Sequence, residues 1–186
     1  MAKSFLNNKN VALGLRNNNP GNLIRTVLTW QGKIPHAQST DKKFEQFENV
    51  HYGLRAMFKD LINDINKGKN TVKLLITEYA PPKENDTVAY INSVAKNLGV
   101  APTARLSQID STFLLKLGRA ILQVELGKDH RLITDADIIK SLTMLGNVST
   151  ANLTVKIDKF ALARQYIIPV LITIGLFFYS YVTITI

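Results

Sequence analysis

Apolar residues recur at helical spacing through the middle of the chain, from residue 51 to residue 145. In the first stretch they lie three or four positions apart, which places them on one face of an α-helix. This face comprises Leu54, Met57, Phe58, Leu61, Ile62 and Ile65. Further stretches of the same kind begin near Thr71, Asp86, Ser111 and Thr134. Glycines or prolines follow each stretch and end it, so the pattern predicts four or five helices.

The chain before these helices has a different pattern. Residues 1–13 are polar and basic and predict a loose N-terminal arm. Residues 14–35 are rich in Asn, Gly and Pro and contain short apolar runs such as LIRTVLTW, which indicates turns with short strands or a β-hairpin. Residues 36–48 are predicted to continue as an extended segment, with Phe44 and Phe47 in the core. The prediction is an α+β fold, mostly helical, with one domain over residues 14–146 and a linker over residues 147–165.

The C-terminal segment, residues 166–186, reads YIIPVLITIGLFFYSYVTITI and contains no charged residue. As a helix it would span about 30 Å, the thickness of the hydrocarbon layer of a membrane. We therefore expect one transmembrane helix and a single-pass, C-terminally anchored protein; the alternative is a buried core helix. Three basic residues, Lys156, Lys159 and Arg164, precede the segment and predict that the N-terminal domain faces the cytoplasm.

The amino-acid composition excludes several kinds of site and favours certain binding partners. The chain has no Cys and only three scattered His, so no disulfide, thiolate nucleophile or metal site is expected, and no cofactor is predicted. The formal net charge of +9 favours an acidic partner, such as peptidoglycan, a membrane surface or nucleic acid. Specific nucleic-acid binding is disfavoured because the Lys and Arg residues are dispersed and form no recognition motif.

Two segments carry residues suited to binding a sugar. The run GLRNNNPGN includes Asn18 and Asn22, which present amides, and Trp30 adds an aromatic face. The alternative for this run is a structural turn, since Asn and Pro-Gly favour tight turns. Further along, Glu84 is either a helix-capping or a site carboxylate, and Tyr90 is either a core residue or a phenol that reaches a cleft.

A single carboxylate, Glu125, lies in the last turn of the apolar helix that ends at Gly127. The negative end of the helix dipole and the apolar neighbours both predict a raised pKa for this carboxyl group. A raised pKa is what a general acid needs to protonate a glycosidic oxygen near neutral pH. The alternative is a solvated side chain on the polar face of the helix.

Together the segments GLRNNNPGNL, YAPPKENDT and AILQVELG resemble a family of bacteriophage virion proteins with a lysozyme-like, peptidoglycan-cleaving domain. The resemblance covers residues 14–127. In lytic transglycosylases a similar A-I-x-x-V-E-S-G pattern carries the catalytic acid and precedes the hairpin region, whereas here it follows. The resemblance thus implies a lysozyme-like domain, possibly circularly permuted, with Glu125 as general acid/base, although Leu126 stands where Ser is usual.

The same resemblance implies that Asn18, Asn22, Trp30 and Tyr90 line the glycan cleft, with Glu84 as a further substrate-binding candidate. One isolated carboxylate favours a lytic transglycosylase, because hydrolases commonly use two. A second carboxylate from among the other acids would favour hydrolysis. The candidates for it are Asp41, Glu45, Glu48 and Glu84.

The sequence thus predicts a membrane-anchored enzyme in the virion of a lipid-containing phage, which opens the host cell wall during entry. Its expected partners are peptidoglycan, a lipid membrane and other virion proteins, and it would reside in the host inner membrane before assembly. The alternative is a non-catalytic structural virion membrane protein that binds glycan or packs beneath the capsid. A holin-like or spanin-like protein is less consistent with a large folded domain and one membrane span.

Overall fold

The structure, a computed structural model, describes residues 2–83, 86–146, 148–150 and 153–155. Most of these residues belong to helices or to the loops that join them. The α-helices are α1 (Leu13–Arg16), α2 (Val50–Asn66), α3 (Val72–Tyr79), α4 (Thr87–Leu98), α5 (Ser111–Leu126) and α6 (Asp135–Thr143). A 3₁₀ helix, Gly127–Leu132, joins α5 to α6. Two short strands, β1 (Val148–Thr150) and β2 (Leu153–Val155), pair antiparallel with Val148 opposite Val155.

Side-chain caps fix where the helices begin. Asn49, Thr71, Asp86, Asp110 and Thr134 each accept a hydrogen bond from a backbone N–H in the first turn of the helix that follows. Such a bond satisfies a donor that has no partner within the helix. Because the caps are local, the beginnings of α3, α4 and α6 agree with the boundaries predicted from the sequence.

The core lies around α5, which packs against α4 on one side and contacts α6 on another. The Phe58 ring of α2 contacts α5 at Gly118, where an added Cβ would lie only 2.5 Å from Cζ of Phe58. The glycine therefore lets the fully buried Phe58 ring rest directly on the α5 backbone. This packing carries the C-terminal turn of α5, and with it Glu125, to the edge of the long loop between α1 and α2.

The conformation of that loop contradicts the predicted α+β fold. Residues 14–35 were expected to form turns with short strands or a hairpin, and residues 36–48 to be extended. The range 17–49, which is fully described, contains instead the isolated bridges Ile24–Phe44 and Lys33–Phe47 and no strand. The physical reason is that side chains take the place of a ladder. The Asn19 amide, for example, donates to the carbonyl oxygens of Leu23 and Glu45, at 2.9 and 3.0 Å.

The predicted fold, α+β with one transmembrane helix, is therefore wrong for the part of the chain that the structure describes. The regular secondary structure of that part is helical apart from β1 and β2, which lie in the predicted linker. No helix in it combines the length and apolar character needed to cross a bilayer. The segment predicted as the anchor, residues 166–186, lies outside the described residues.

The N-terminal arm also differs from the expectation of a loose segment. The Lys3 ammonium pairs with Asp137 and donates to the Leu132 carbonyl, both at 2.6 Å. The Lys3 carbonyl accepts from the Val50 N–H at 3.0 Å, at the start of α2. These bonds tie the arm to α2 and α6.

Candidate active site

Glu125 lies between two depressions in the surface. The larger has a volume of about 530 Å³ and is lined by the loop residues 21–30, by Phe44, by α2 and by the end of α3. The smaller, about 390 Å³, is lined by the start of α4 and by Val124. Both volumes lie in the range of ligand sites in proteins. An extended ligand that occupied both depressions would pass directly over the Glu125 carboxyl group.

Two donors hold the Glu125 carboxylate. The Asn22 amide donates to Oε2 at 2.7 Å, and the Tyr90 hydroxyl donates to Oε1 at 2.8 Å. Burial raises the pKa of Glu125, and these two hydrogen bonds act in the opposite direction without cancelling it. The direction is the one expected from the sequence, and its cause is desolvation of the charged form.

The position of Asn22 depends on the conformation of its loop. Asn22 has φ of 49°, in the left-handed region that Asn tolerates better than most residues, and its N–H donates to the Asn19 carbonyl at 2.9 Å. Gly14 lies beneath this turn, because a Cβ there would be 2.9 Å from the Asn19 carbonyl oxygen. The Tyr79 hydroxyl closes the turn by donating to the Gly21 carbonyl at 2.5 Å.

Tyr90 comes from the opposite side. It lies in α4, is buried, and belongs to the hydrophobic core. Burial raises the pKa of its hydroxyl, and the nearby Tyr79 and Glu125 raise it further. Tyr90 therefore stays protonated and donates a hydrogen bond to Glu125 from a rigid position.

Asn18, another candidate from the sequence, has its side chain away from the cleft. It is fully buried, and all its amide bonds are internal. Its oxygen accepts from the Phe5 N–H at 2.8 Å, and its nitrogen donates to Ser4 Oγ at 2.8 Å and to the Phe47 carbonyl at 3.0 Å. In this structure Asn18 joins the N-terminal arm to the loop that forms the cleft.

Trp30 lines the larger depression. Its indole N–H is buried and has no hydrogen-bond acceptor among the described residues, and the Asn22 side-chain oxygen in the same depression likewise has no donor there. An unpaired buried polar atom is unfavourable unless something else satisfies it. Glu84, the remaining candidate, lies outside the described residues.

The acids considered as a second carboxylate have other roles where the structure describes them. Glu45 is fully buried and accepts hydrogen bonds from Lys33 at 2.8 Å and His36 at 2.9 Å. Burial alone would raise the pKa of Glu45, but these bonds and one from the Thr26 N–H hold it below its usual value. Asp41 is held similarly by backbone N–H groups and the Asn17 amide, and Glu48 is exposed.

The larger depression contains three acids that the sequence analysis did not single out, namely Asp60, Asp64 and Glu78. Asp64 pairs with Lys67 at 3.4 Å, and Glu78 pairs with Lys69 at 2.9 Å. Burial, together with the charge of Asp64, raises the pKa of Asp60 to about 6. The signal in the sequence was the spacing of Asp60 and Asp64, four positions apart on one helix, which places both on one face.

Comparison with known proteins adds a biological context. The chain is 35% identical over 106 residues to Protein P5 of Pseudoalteromonas phage PM2. The aligned region covers 55% of this chain and 64% of that protein, so the chain spans less than two thirds of the relative's length. No protein-family model matches the chain. The predicted similarity to a bacteriophage protein is thus confirmed, whereas membership of a wall-degrading family stays a prediction.

Proposed function

We propose that the chain is a bacteriophage virion protein that cleaves glycosidic bonds in peptidoglycan, with Glu125 as the general acid. The observation that carries this proposal is the placement of a half-buried carboxyl group, held by two donors, between two surface depressions. A polymer cut in its interior needs binding surface on both sides of the cleaved bond. The phage relative supports the virion context.

The proposed chemistry starts from protonated Glu125. Its raised pKa keeps a larger fraction of the carboxyl group protonated near neutral pH than an ordinary Glu would have. The proton moves to the glycosidic oxygen as the bond from that oxygen to the anomeric carbon breaks, which leaves a positively charged, oxocarbenium-like sugar. The Tyr90 hydroxyl and the Asn22 amide then stabilise the Glu125 carboxylate that forms.

The rest of the cleft suits a glycan. Trp30 supplies an aromatic surface against which a sugar ring can pack. The net charge of +9 favours approach to the carboxylates of the peptide stems. In this role the protein would act on the host wall during genome entry, alongside other virion proteins.

The test compares the full-length chain with its Glu125→Gln variant on purified bacterial peptidoglycan. Gln is nearly isosteric, and rotation of the Asn22 amide would bring its unpaired oxygen to face the new amide, so the variant should fold. We expect the wild type to release soluble muropeptides and the variant to be slower by about 10²–10⁴-fold, as for loss of a general acid. Glu48→Gln is the matched control and should retain activity, because Glu48 is exposed and lines neither depression.

Each outcome has a distinct meaning. Mass analysis of the products separates 1,6-anhydro ends, which indicate a lytic transglycosylase, from reducing ends, which indicate a hydrolase. Equal activity of the wild type and Glu125→Gln would show that Glu125 is not the general acid. A folded wild type that binds peptidoglycan without cleaving it would favour the non-catalytic structural protein.

A further inference from the structure

Asp60 differs from the other acids of the larger depression. Asp64 and Glu78 each have a lysine partner, and Glu125 has two hydrogen-bond donors. Within the described residues, by contrast, the Asp60 carboxyl group forms no hydrogen bond or ion pair. It is nevertheless partly buried and faces the same depression as Glu125. A carboxylate that is left without a partner in a ligand-sized depression is available to whatever the depression binds.

Tyr79 connects the positions of Asp60 and Glu125. Burial raises the pKa of the Tyr79 hydroxyl well above its usual value, and the charges of Glu125 and Asp60 both raise it further. Asp60, Tyr79 and Glu125 all line the larger depression, and the Tyr79 hydroxyl is fixed there by its bond to the Gly21 carbonyl. Asp60 is carried by α2 and Glu125 by α5, so the two acids reach the depression from different helices.

We infer that Asp60 is the second catalytic carboxylate of this site, acting as the base that activates water, so that the glycosidic bond is hydrolysed rather than closed into an anhydro ring. This inference rests on the proposed function. In the step, the Glu125 proton moves to the leaving oxygen and the bond between that oxygen and the anomeric carbon breaks. A water oxygen bonds to the anomeric carbon, and a water proton moves to Asp60.

The electrostatic surroundings of Asp60 set the pH range in which it can act as a base. The charged groups that act on Asp60 are Asp64 and Lys67 from α2 and the turn after it, and Glu78 from α3. Burial and the two acids raise the pKa of Asp60 to about 6, and Lys67 opposes them. Asp60 is then mostly ionised at neutral pH, as a base must be, and its loss of charge should reduce kcat/KM as the pH falls below about 6.

The test uses the full-length protein in ¹⁸O-labelled water, with peptidoglycan as substrate. Hydrolysis places the label at new reducing ends, whereas anhydro products carry none. We expect labelled reducing ends from the wild type and a rate lower by at least about 10²-fold in Asp60→Asn. Glu48→Gln is the matched control and should stay within about threefold of the wild type, because Glu48 is exposed and lines neither depression.

Two measurements separate a catalytic role from a structural one. Charged Asp60 is unfavourable to the fold because its carboxyl group is desolvated, so Asp60→Asn should melt at or above the wild-type temperature. In Asp60→Ala, added sodium azide should attack the anomeric carbon in place of water and yield a glycosyl azide, with the Glu125 proton again going to the leaving oxygen. A residue that only shaped the cleft would not produce this product.

The results that overturn the inference are distinct from those that overturn the proposed function. Anhydro ends from the wild type, full activity of Asp60→Asn, or a folded Asp60→Ala variant that gives no glycosyl azide would each exclude Asp60 as the base. In the first two cases peptidoglycan cleavage by Glu125 would still stand. A folded wild type that cleaves nothing would overturn both.

Discussion

Replacing Asn18 tests whether this residue supports the cleft or contacts the glycan. Its amide holds the Phe5 N–H, Ser4 Oγ and the Phe47 carbonyl, all from a fully buried position with φ of 49°. Asn18→Ala leaves the Phe5 N–H and the Phe47 carbonyl without partners, at about 1–3 kcal/mol each, and places an Ala in the left-handed region, at about 1 kcal/mol. We therefore expect the free energy of unfolding to fall by about 3–7 kcal/mol.

Asn18→Gly is the matched control, because Gly loses the same hydrogen bonds but accepts a positive φ without strain. It should be less destabilised than Asn18→Ala by about 1 kcal/mol. The assay is urea unfolding followed by circular dichroism and by the fluorescence of Trp30, the single tryptophan of the chain. Trp30 borders the cleft, so its signal also reports on the loop.

Two results would contradict the structural role of Asn18. If Asn18→Ala unfolds at the wild-type urea concentration but binds peptidoglycan more weakly, Asn18 contacts the ligand and the bonds described above are not what holds the loop. If both variants lose the same stability, the positive φ carries no strain and the reasoning about the left-handed turn fails.

Three further substitutions have predicted effects on the stability of the protein or on the pH dependence of its rate. Gly53→Ala should lower the free energy of unfolding by at least about 2 kcal/mol in thermal or urea unfolding, because the added Cβ would lie 1.9 Å from the Asn18 carbonyl oxygen. Tyr90→Phe should move the alkaline limb of the pH–rate profile to higher pH, because the Tyr90 hydroxyl lowers the pKa of Glu125. Burial alone would raise the pKa of Asp137, but hydrogen bonds from Lys3, Thr134 and His51 outweigh it and lower the pKa to about 2. Stability from Asp137 is thus present above pH 4 and lost between about pH 4 and 2, and unfolding of Asp137→Asn across this range should lack that loss.

The helices were predictable because their signals are local. Helix α4 illustrates this: Asp86 caps it, its apolar residues share one face, and Gly99 ends it with φ of 68°. These features depend on residues within one or two turns of each other. They therefore do not need knowledge of the tertiary structure.

The loop before α2 was predicted wrongly because its outcome depends on contacts distant in sequence. The apolar run LIRTVLTW indicated a strand, yet Val27 in that run is 98% exposed. The loop is fixed instead by buried Asn side chains and by Glu45, which bond backbone groups that a strand would have paired. The hydrophobic periodicity of a sequence does not indicate whether a backbone N–H or C=O group will bond to a side chain or to a neighbouring strand.

The candidate site likewise contains residues that the sequence predicted and one that depends on tertiary packing. Glu125 was named from its place at the end of an apolar helix, and the structure puts it in contact with Asn22 and Tyr90, which the resemblance had named. Asp60 was not named, because on an amphipathic helix it looks like a residue of the solvated face. Asp60 is partly buried because Tyr79 and the loop before α2 pack around it. This is tertiary packing, which a local sequence pattern does not predict.

The acids of the chain fall into two groups with opposite effects on the fold. Glu45 and Asp137 are paired and have lowered pKa values, so their charges stabilise the folded state. Glu125 and Asp60 have raised pKa values, so their charged forms are disfavoured by folding, and both face the same depression. The unpaired indole N–H of Trp30 lies there too. Two carboxyl groups whose charged forms are disfavoured by folding, in one ligand-sized depression, are expected of a functional site rather than of a site that stabilises the fold.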